Sequence, residues 1–435
     1  MAKRAPAPAV RPLLPVTLEP GGIRYAPGMR AGRWVFASGL KATAGFAGGL
    51  AAEVEARALP HHGAPRFRRE ADRIFRNLNT VLAAGGSDLA NVVRVDQHYT
   101  TSTAVEFYHD ARRATLKDHV PPSTSTLTPG LLLAGQAIEV HALAVVPDKT
   151  FRPVHIRPAQ QNEVHATSGY SLALAAGDFV FFAGRYADAP AAGPGLAPEV
   201  RMPAGHLWKG LPIRMETEYV IAKKLVPTLK AAGCTLADAV LCQVYLRDPD
   251  DFAPFMEVWR KHFPRGTPAT TLVPTATPGF NLRDARIEIN TLALRPGRTR
   301  RRTIDAGVVP PFAGITQAVR AGDLLFLSGL LAIDRNGLIG AARPDPRQPY
   351  FGSSITAQMD FILSNAEKLC RAAGTKLANV VRIQQYHTDL REFQAAYDVW
   401  ARTLPGQHLP LSAVEVPFLP VPGCTVMLGL WVYAP

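Results

Sequence analysis

The strongest constraint on this chain is internal repetition. Ala31–Gly39 (AGRWVFASG) returns as Ala176–Gly184 (AGDFVFFAG) and again as Ala321–Gly329 (AGDLLFLSG), with the terminal glycines evenly spaced at 145 residues. A second block follows in the same order: Leu82–Val95 (LAAGGSDLANVVRV), Leu229–Cys242 (LKAAGCTLADAVLC) and Cys370–Ile383 (CRAAGTKLANVVRI). A period of this length is that of a whole domain rather than of a solenoid unit. The sequence therefore predicts three tandem domains, 1–150, 151–300 and 301–435. With 47% hydrophobic residues, each has enough apolar side chains for its own core.

Each copy reads the same way. A short aromatic and β-branched run ends at a glycine, as a strand entering a turn does. A long helix follows. In the first copy Ala71, Ile74, Phe75, Leu78, Val81 and Leu82 keep helical spacing and Gly85-Gly86 supplies the stop; in the third, Phe361, Ile362, Ala366 and Leu369 do so ahead of Gly374. The second copy carries Pro227 inside this pattern, which predicts a kink. Next come a strand (Val92–Tyr99 in the first copy), a second helix with Phe252, Met256 and Trp259 or Phe393, Tyr397 and Trp400 on one face, and two closing strands. The expected class is α+β, with helices on one face of a sheet.

The strand ending in Ser-Gly, the helix ending in Ala-Ala-Gly, the Leu-Ala-Asn/Asp strand entry, the Pro-initiated strand and the closing Ile-Glu strand together resemble the RidA/YjgF family of reactive-intermediate deaminases. The resemblance covers nearly the whole chain, three times over. It implies small chorismate-mutase-like domains that associate in threes, with sheets packed into a central barrel, helices outside and a site in each cleft. In a fused chain this becomes an intramolecular pseudo-trimer, in which one cleft can specialise while another turns structural.

The closing strands support such specialisation: they read Ile138-Glu139-Val140-His141, Ile287-Glu288-Ile289-Asn290, but Val426-Met427-Leu428-Gly429. Because alternate strand residues face opposite sides, Ile138 and Val140 should pack beneath the helices while Glu139 and His141 face the barrel or cleft. A carboxylate on that face needs a partner or a task. The family's deaminases carry an arginine just after a proline on the preceding strand, where it pairs with the substrate carboxylate. Ser123, Thr270 and Ser412 stand at those positions here, and a hydroxyl replaces neither the charge nor the fork of a guanidinium. Arg185, Arg286 or Arg382 would have to supply the charge from elsewhere. On the middle strands, alternation puts Arg94, Asp96 and His98 on one face, with Leu241, Gln243, Tyr245 and Arg382, Gln384, Tyr386 as counterparts. They read either as a hydrogen-bonded core between the copies or, for His98 and Tyr245, as proton donors beside Glu139 or Glu288.

The formal charge of +13 raises the question of a polyanion partner. Part of the excess lies in Arg295–Arg302, a Pro- and Gly-containing stretch read as a solvated linker, and no basic stripe is interleaved with aromatics, so nucleic acid is not the expected partner. The histidines (His61, His62, His109, His119, His155, His165, His206, His262, His387 and His408) show no metal-ligand spacing and read as surface or loop residues; no metal and no cofactor is expected. Cys234, Cys242, Cys370 and Cys424 lack CxxC spacing and read as buried thiols of a cytoplasmic protein. No apolar run is long enough for a membrane helix, and Pro6, Pro8, Pro12 and Pro15 interrupt any leader-like core.

The function expected is a cofactor-independent hydrolase or deaminase acting on a small imine, enamine or other C–N bonded metabolite. Glu139 or Glu288 would activate water, His98 would move a proton, and Ser123, Thr270, Tyr245 and Arg185 would hold the substrate. A non-catalytic ligand-binding or scaffold protein of the same fold is the alternative, with RNA cleavage and chorismate-type chemistry behind it. Further self-association is left open.

Overall fold

The computed structural model describes residues 10–56, 62–208, 210–277, 279–280, 282–347 and 352–435. It contains three six-stranded sheets with one strand order. In the first, the spatial sequence is Val10–Leu13, Gly28–Ala31, Trp34–Leu40, Ile138–Val145, Val92–Tyr99 and Ser123–Leu127. The second runs Pro153–Ile156, Ala173–Ala176, Phe179–Phe182, Ile287–Leu294, Ala239–Leu246 and Ala269–Pro274; the third runs Arg301–Ile304, Ala318–Ala321, Leu324–Leu327, Val426–Tyr433, Val380–His387 and Leu411–Glu415. All neighbours are antiparallel except the last pair of each sheet, which is parallel because the second helix of the repeat crosses over between them. Register is repeated as closely as order. His98 lies opposite Glu139, Tyr245 opposite Glu288 and Tyr386 opposite Met427, with an irregularity at the same point of each middle strand.

Alternation along the strands sorts the side chains into two cores. Ile138 and Val140 pack under the helix Arg66–Ala84 with Ile74, Leu78 and Val81, and comparable clusters lie under Gly210–Ala231 and Ser354–Ala372. The opposite faces meet in a shared core where Trp34 of the first sheet contacts Phe181 of the second, and Phe36 of the first contacts Trp431 of the third, which in turn packs on Phe326. The strands do not close into the expected barrel. Each ladder ends at its own edge, and the sheets touch through side chains and single backbone bonds such as Gly184 N–H to Ser123 O (3.1 Å) and Gly329 N–H to Thr270 O (3.2 Å).

Above this apolar core, the polar faces of the middle strands form one network. Arg94 donates to both carboxylate oxygens of Asp96 (3.0 Å each) and to Gln243 (3.0 Å); Gln243 donates to Gln384 (3.0 Å), and Arg382 donates to Asp96 (2.7 Å) while lying over the Trp431 ring. These residues come from all three sheets, so the middle-strand polar groups pair across the sheets as a hydrogen-bonded core between the copies.

Two local expectations change on inspection. Pro227 does not simply kink its helix: the turn before it, Val220–Leu225, widens to a π-helical segment, which accommodates the missing N–H and the ring without ending the helix. The basic stretch 295–302 is linker only as far as Arg300. Arg301 and Arg302 open a strand paired with Ala318–Ala321, their side chains exposed at the sheet edge. All four cysteines are free and buried. Among the described residues no helix is long and apolar enough to cross a membrane.

Candidate active site

Where the first and second sheets meet, a cavity of about 210 Å³ is walled by Ser123 and Ser125 of one sheet, Glu288 of the other, and His109, Tyr170 and Asp188 from the surrounding segments. Glu288 projects from the face of its strand opposite the helices. Its carboxyl is almost fully buried and makes no hydrogen bond or ion pair among the described residues. Burial, with Asp96 and Asp188 adding negative charge and only Arg185 opposing, pushes its pKa up to about 8. At neutral pH it is a carboxylic acid, able to donate a proton into the cavity. Gly184 makes the position available: a Cβ there would lie 1.9 Å from Glu288 Oε1 and 3.0 Å from Thr124 Oγ1.

Behind Ser123 stands a residue that the sequence pattern does not single out. Arg112, on the helix Thr103–Leu116, is fully buried; its Nη1 donates to Ser123 Oγ (2.9 Å) and its Nη2 to Ser168 O (2.5 Å), while its Nε has no acceptor among the described residues. No carboxylate pairs with it among those residues. A buried guanidinium without a counterion is costly unless an anion arrives. Because Ser123 Oγ accepts from Arg112, its own hydrogen is left for the cavity.

Arg185 does not line this cavity but a small pocket adjoining it, and its charge is shared: Nη2 donates to Glu163 (3.3 Å), and Lys224 bridges Glu163 (2.8 Å) and Asp188 (3.1 Å). Nη1 of Arg185 is buried without an acceptor among the described residues. The other suppliers of charge are engaged, Arg286 with Asp251 and Asp248, and Arg382 with Asp96.

Glu139 occupies the equivalent place where the first and third sheets meet, in a different state. Ser412 Oγ donates to its Oε1 (2.5 Å), the Lys41 ammonium lies 3.3 Å from its Oε2, and His141 Nε2 lies 3.4 Å from Oε1. The Gly39 N–H donates to His141 Nδ1 (3.2 Å), which leaves the ring proton on Nε2, facing the carboxylate. Burial alone would raise the Glu139 pKa, yet Lys41, His141 and Ser412 together outweigh it and hold the carboxyl well below the usual carboxylate range. Glu139 is thus a locked anion, a poor base and no acid.

At the third junction the side chains fill the space. Met427 stands where the glutamates stand, its Sδ against Gly329, and packs with Tyr245, Phe280 and Val273. Tyr245 therefore lies in an apolar cluster and does not line the Glu288 cavity. Thr270 Oγ1 is spent on the carbonyl of Pro268 (2.9 Å). His98 is buried with Nδ1 at Thr126 Oγ1 (3.1 Å), and burial, then His141, pushes its pKa down to about 4, so the imidazole is neutral. It is opposite Glu139 in register, but His141 is the imidazole at that carboxylate. The histidines are less peripheral than their spacing suggests. His109 walls the cavity, His387 is fully buried, and His119 and His155 pair at 2.9 Å; His61 lies outside the described residues.

Fold and site together define an α+β protein whose ionisable groups gather where sheets of one topology abut. The endoribonuclease L-PSP family profile matches residues 160–295 and 308–427, more than half of the chain. The chain belongs to this family, the RidA/YjgF family that its motifs resemble. A RutC family protein of Pyrococcus horikoshii is 32% identical over 126 residues, 29% of this chain and 86% of that protein. The chloroplastic Reactive Intermediate Deaminase A of Arabidopsis thaliana is 28% identical over 106 residues, 24% of this chain and 51% of that protein. Among solved structures, a chorismatase is 14% identical at a TM-score of 0.45, with 79% of this chain and 93% of that one covered.

Proposed function

We propose that residues 1–150, 151–300 and 301–435 are three units of an intramolecular pseudo-trimer, and that the cleft between the first two hydrolyses a small anionic imine or enamine. The observation that carries this reading is Glu288: a neutral, unpartnered carboxyl facing a polar cavity beside an uncompensated arginine. The family name borne by the plant relative, a reactive intermediate deaminase, agrees with it.

In this scheme the substrate's anionic group accepts from the Ser123 hydroxyl in the field of Arg112, which orients the C=N bond toward Glu288. Glu288 gives its proton to the imine nitrogen. The carboxylate so formed takes a proton from water as the oxygen adds to carbon, giving a neutral carbinolamine. Glu288 then protonates the amine, the C–N bond breaks, and the hydroxyl proton returns to the carboxylate. The sum is imine plus water to carbonyl plus ammonia, with the acid restored. One group serves as acid and base in turn because its pKa lies near working pH.

The test is ammonia release from a panel of small imines generated in situ, with and without an anionic group. Glu288→Gln keeps the shape and a donor but cannot shuttle a proton, and should lower turnover by about 100-fold or more. Arg112→Met should raise KM for the anionic imines alone. A correctly folded Glu288→Gln protein with full turnover would refute the assignment.

A further inference from the structure

Away from the junctions, the helix Gly210–Ala231 of the second copy has an outer face unlike those of its counterparts. Glu70, Glu216 and Gln358 mark one position in the three helices, because each accepts from the backbone N–H just ahead of its closing strand, at Ala137, Arg286 and Thr425. Counted from these anchors, Leu211, Met215 and Tyr219 stand where the first copy has Pro65, Arg69 and Arg73 and the third has Ser353, Ala357 and Phe361. Counted back from the helix ends at Gly85, Ala232 and Ala373, Val226 stands where the others have Asn79 and Glu367. In the first copy this face is a charged one, with Arg73 and Arg76 paired to Glu53. In the second it is apolar.

It is also open. Of the five large apolar side chains that stand exposed among the described residues, four lie on this helix or lead into it: Leu207 and Trp208, at 85% and 77%, then Leu211 and Val226. The Leu211 N–H donates to Trp208 O (3.3 Å), which fixes the tryptophan backbone at the head of the helix. An open groove of about 410 Å³ runs along the helix, with Val200, Met215, Tyr219, Ala222 and Val258 on its walls and Glu218 and Lys223 beside them. A contiguous exposed apolar patch rimmed by charges is the mark of a surface that a partner covers.

We propose that this face is the interface of a homodimer, in which the helices of two chains pack antiparallel about a two-fold axis passing between Val220 and Ile221. A second copy is the occupant because the order of side chains is self-complementary about that point. Tyr219 meets the partner's Ala222, the smallest side chain along the groove; Met215 meets the partner's Val226; Glu218 meets the partner's Lys223. Two-fold symmetry makes each contact twice. The charges are free to do so: Glu218 is only half-buried although it holds His262 (2.9 Å) and Lys261 (3.7 Å), and Lys223 is exposed with no ion-pair partner among the described residues. A parallel pair would set glutamate on glutamate and lysine on lysine, and a wholly acidic or basic partner would be repelled by one of the two. The π-helical turn Val220–Leu225 serves both sides, since it sends Lys224 inward to Glu163 and Asp188 while Ala222 and Lys223 face outward. The dimer neither uses nor requires the hydrolytic step assigned to Glu288.

Sedimentation velocity of the full chain at neutral pH, from about 1 to 200 μM, should show conversion to a species of twice the mass of one chain. Ala222→Glu changes an exposed helix position, so the chain still folds, and should weaken association by about 100-fold or more by placing a charge and added bulk against the partner's Tyr219. Glu218→Lys and Lys223→Glu should each weaken it by about tenfold, because each sets like charges together, and the double variant should restore it by reversing both partners at once. That rescue is specific to the antiparallel register. A chain that stays monomeric at about 200 μM would assign the stripe to a different partner, and a dimer indifferent to Ala222→Glu would place the interface elsewhere. Single charge reversals that weaken association without rescue in the double variant would exclude the register. Each of these results overturns the proposal.

Discussion

Glu288 and Glu139 show how a residue's surroundings, not its type, set its chemistry. Both sit at one position of one repeat, yet Lys41, His141 and Ser412 hold one ionised, while burial beside Asp96 and Asp188 keeps the other protonated. If the acid form of Glu288 works, turnover should fall as pH rises through about 8, and Asp188→Asn should move that limb to lower pH by removing a neighbouring anion. Stability has its own sign. The folded pKa lies above the ordinary 4.5, so the buried carboxyl costs nothing below that pH, costs progressively more up to about 8, and a constant amount above. Glu288→Gln should therefore gain stability relative to wild type on going from pH 5 to pH 9, by at most about 5 kcal/mol, as read from urea denaturation at the two pH values. Gly184→Ala is the steric counterpart: its Cβ would collide with Glu288 Oε1, costing about 1–3 kcal/mol and removing the carboxyl from its place, so turnover should drop as in Glu288→Gln. Strand alternation makes both glutamates legible in the sequence, and the family resemblance singles out Ser123. Arg112 and Lys41 are not legible, because neither lies on the repeated motif: Arg112 reads as an ordinary polar helix position, and Lys41 meets Glu139 only once the fold brings two distant strands of the first sheet together.

At the scale of elements, the repeat dictates strand order and helix placement, while departures from it mark the site. The π segment Val220–Leu225 occurs only in the second copy among the described residues, and it carries Lys224, which is 2% exposed and tied to Glu163 and Asp188 at the edge of the Glu288 cavity. Pro227 announces an irregularity there, but not its form, since a kink and a widened turn both satisfy a proline. The widened turn changes which side chains point inward, and a lysine on a helix otherwise reads as solvent-facing. Its partners keep some exposure, at 34% and 22%, so losing the ammonium leaves them partly hydrated rather than stranded. Lys224→Met should then cost about 2 kcal/mol in urea denaturation, less than the loss of a fully buried pair, and should loosen Asp188 enough to weaken binding of anionic substrates. An unchanged midpoint would mean that the helix, not the ion pair, holds this wall.

For the molecule as a whole, the decisive contact is Asp96, which neither the composition nor the motifs single out from its polar neighbours. Its carboxylate is shared by Arg94 of its own sheet and Arg382 of the third, and Gln243 extends the network to the second. Burial by itself would raise its pKa; the two guanidinium groups override that and hold it far below the ordinary 3.8, so its contribution is present at neutral pH and lost only on strong acidification. Removing its charge strands two buried arginines at the junction of all three sheets. Asp96→Asn should cost about 3–5 kcal/mol, where a surface ion pair would cost under about 1. The same substitution removes one of the charges that keep Glu288 protonated, so the alkaline limb of the activity profile should move to lower pH. The two readouts separate roles: a scaffold contact alone would lower the urea midpoint and leave the limb in place. A shift of both would mean that the network joining the sheets also sets the proton on Glu288, so that assembling the three copies and tuning the acid are one arrangement of charge.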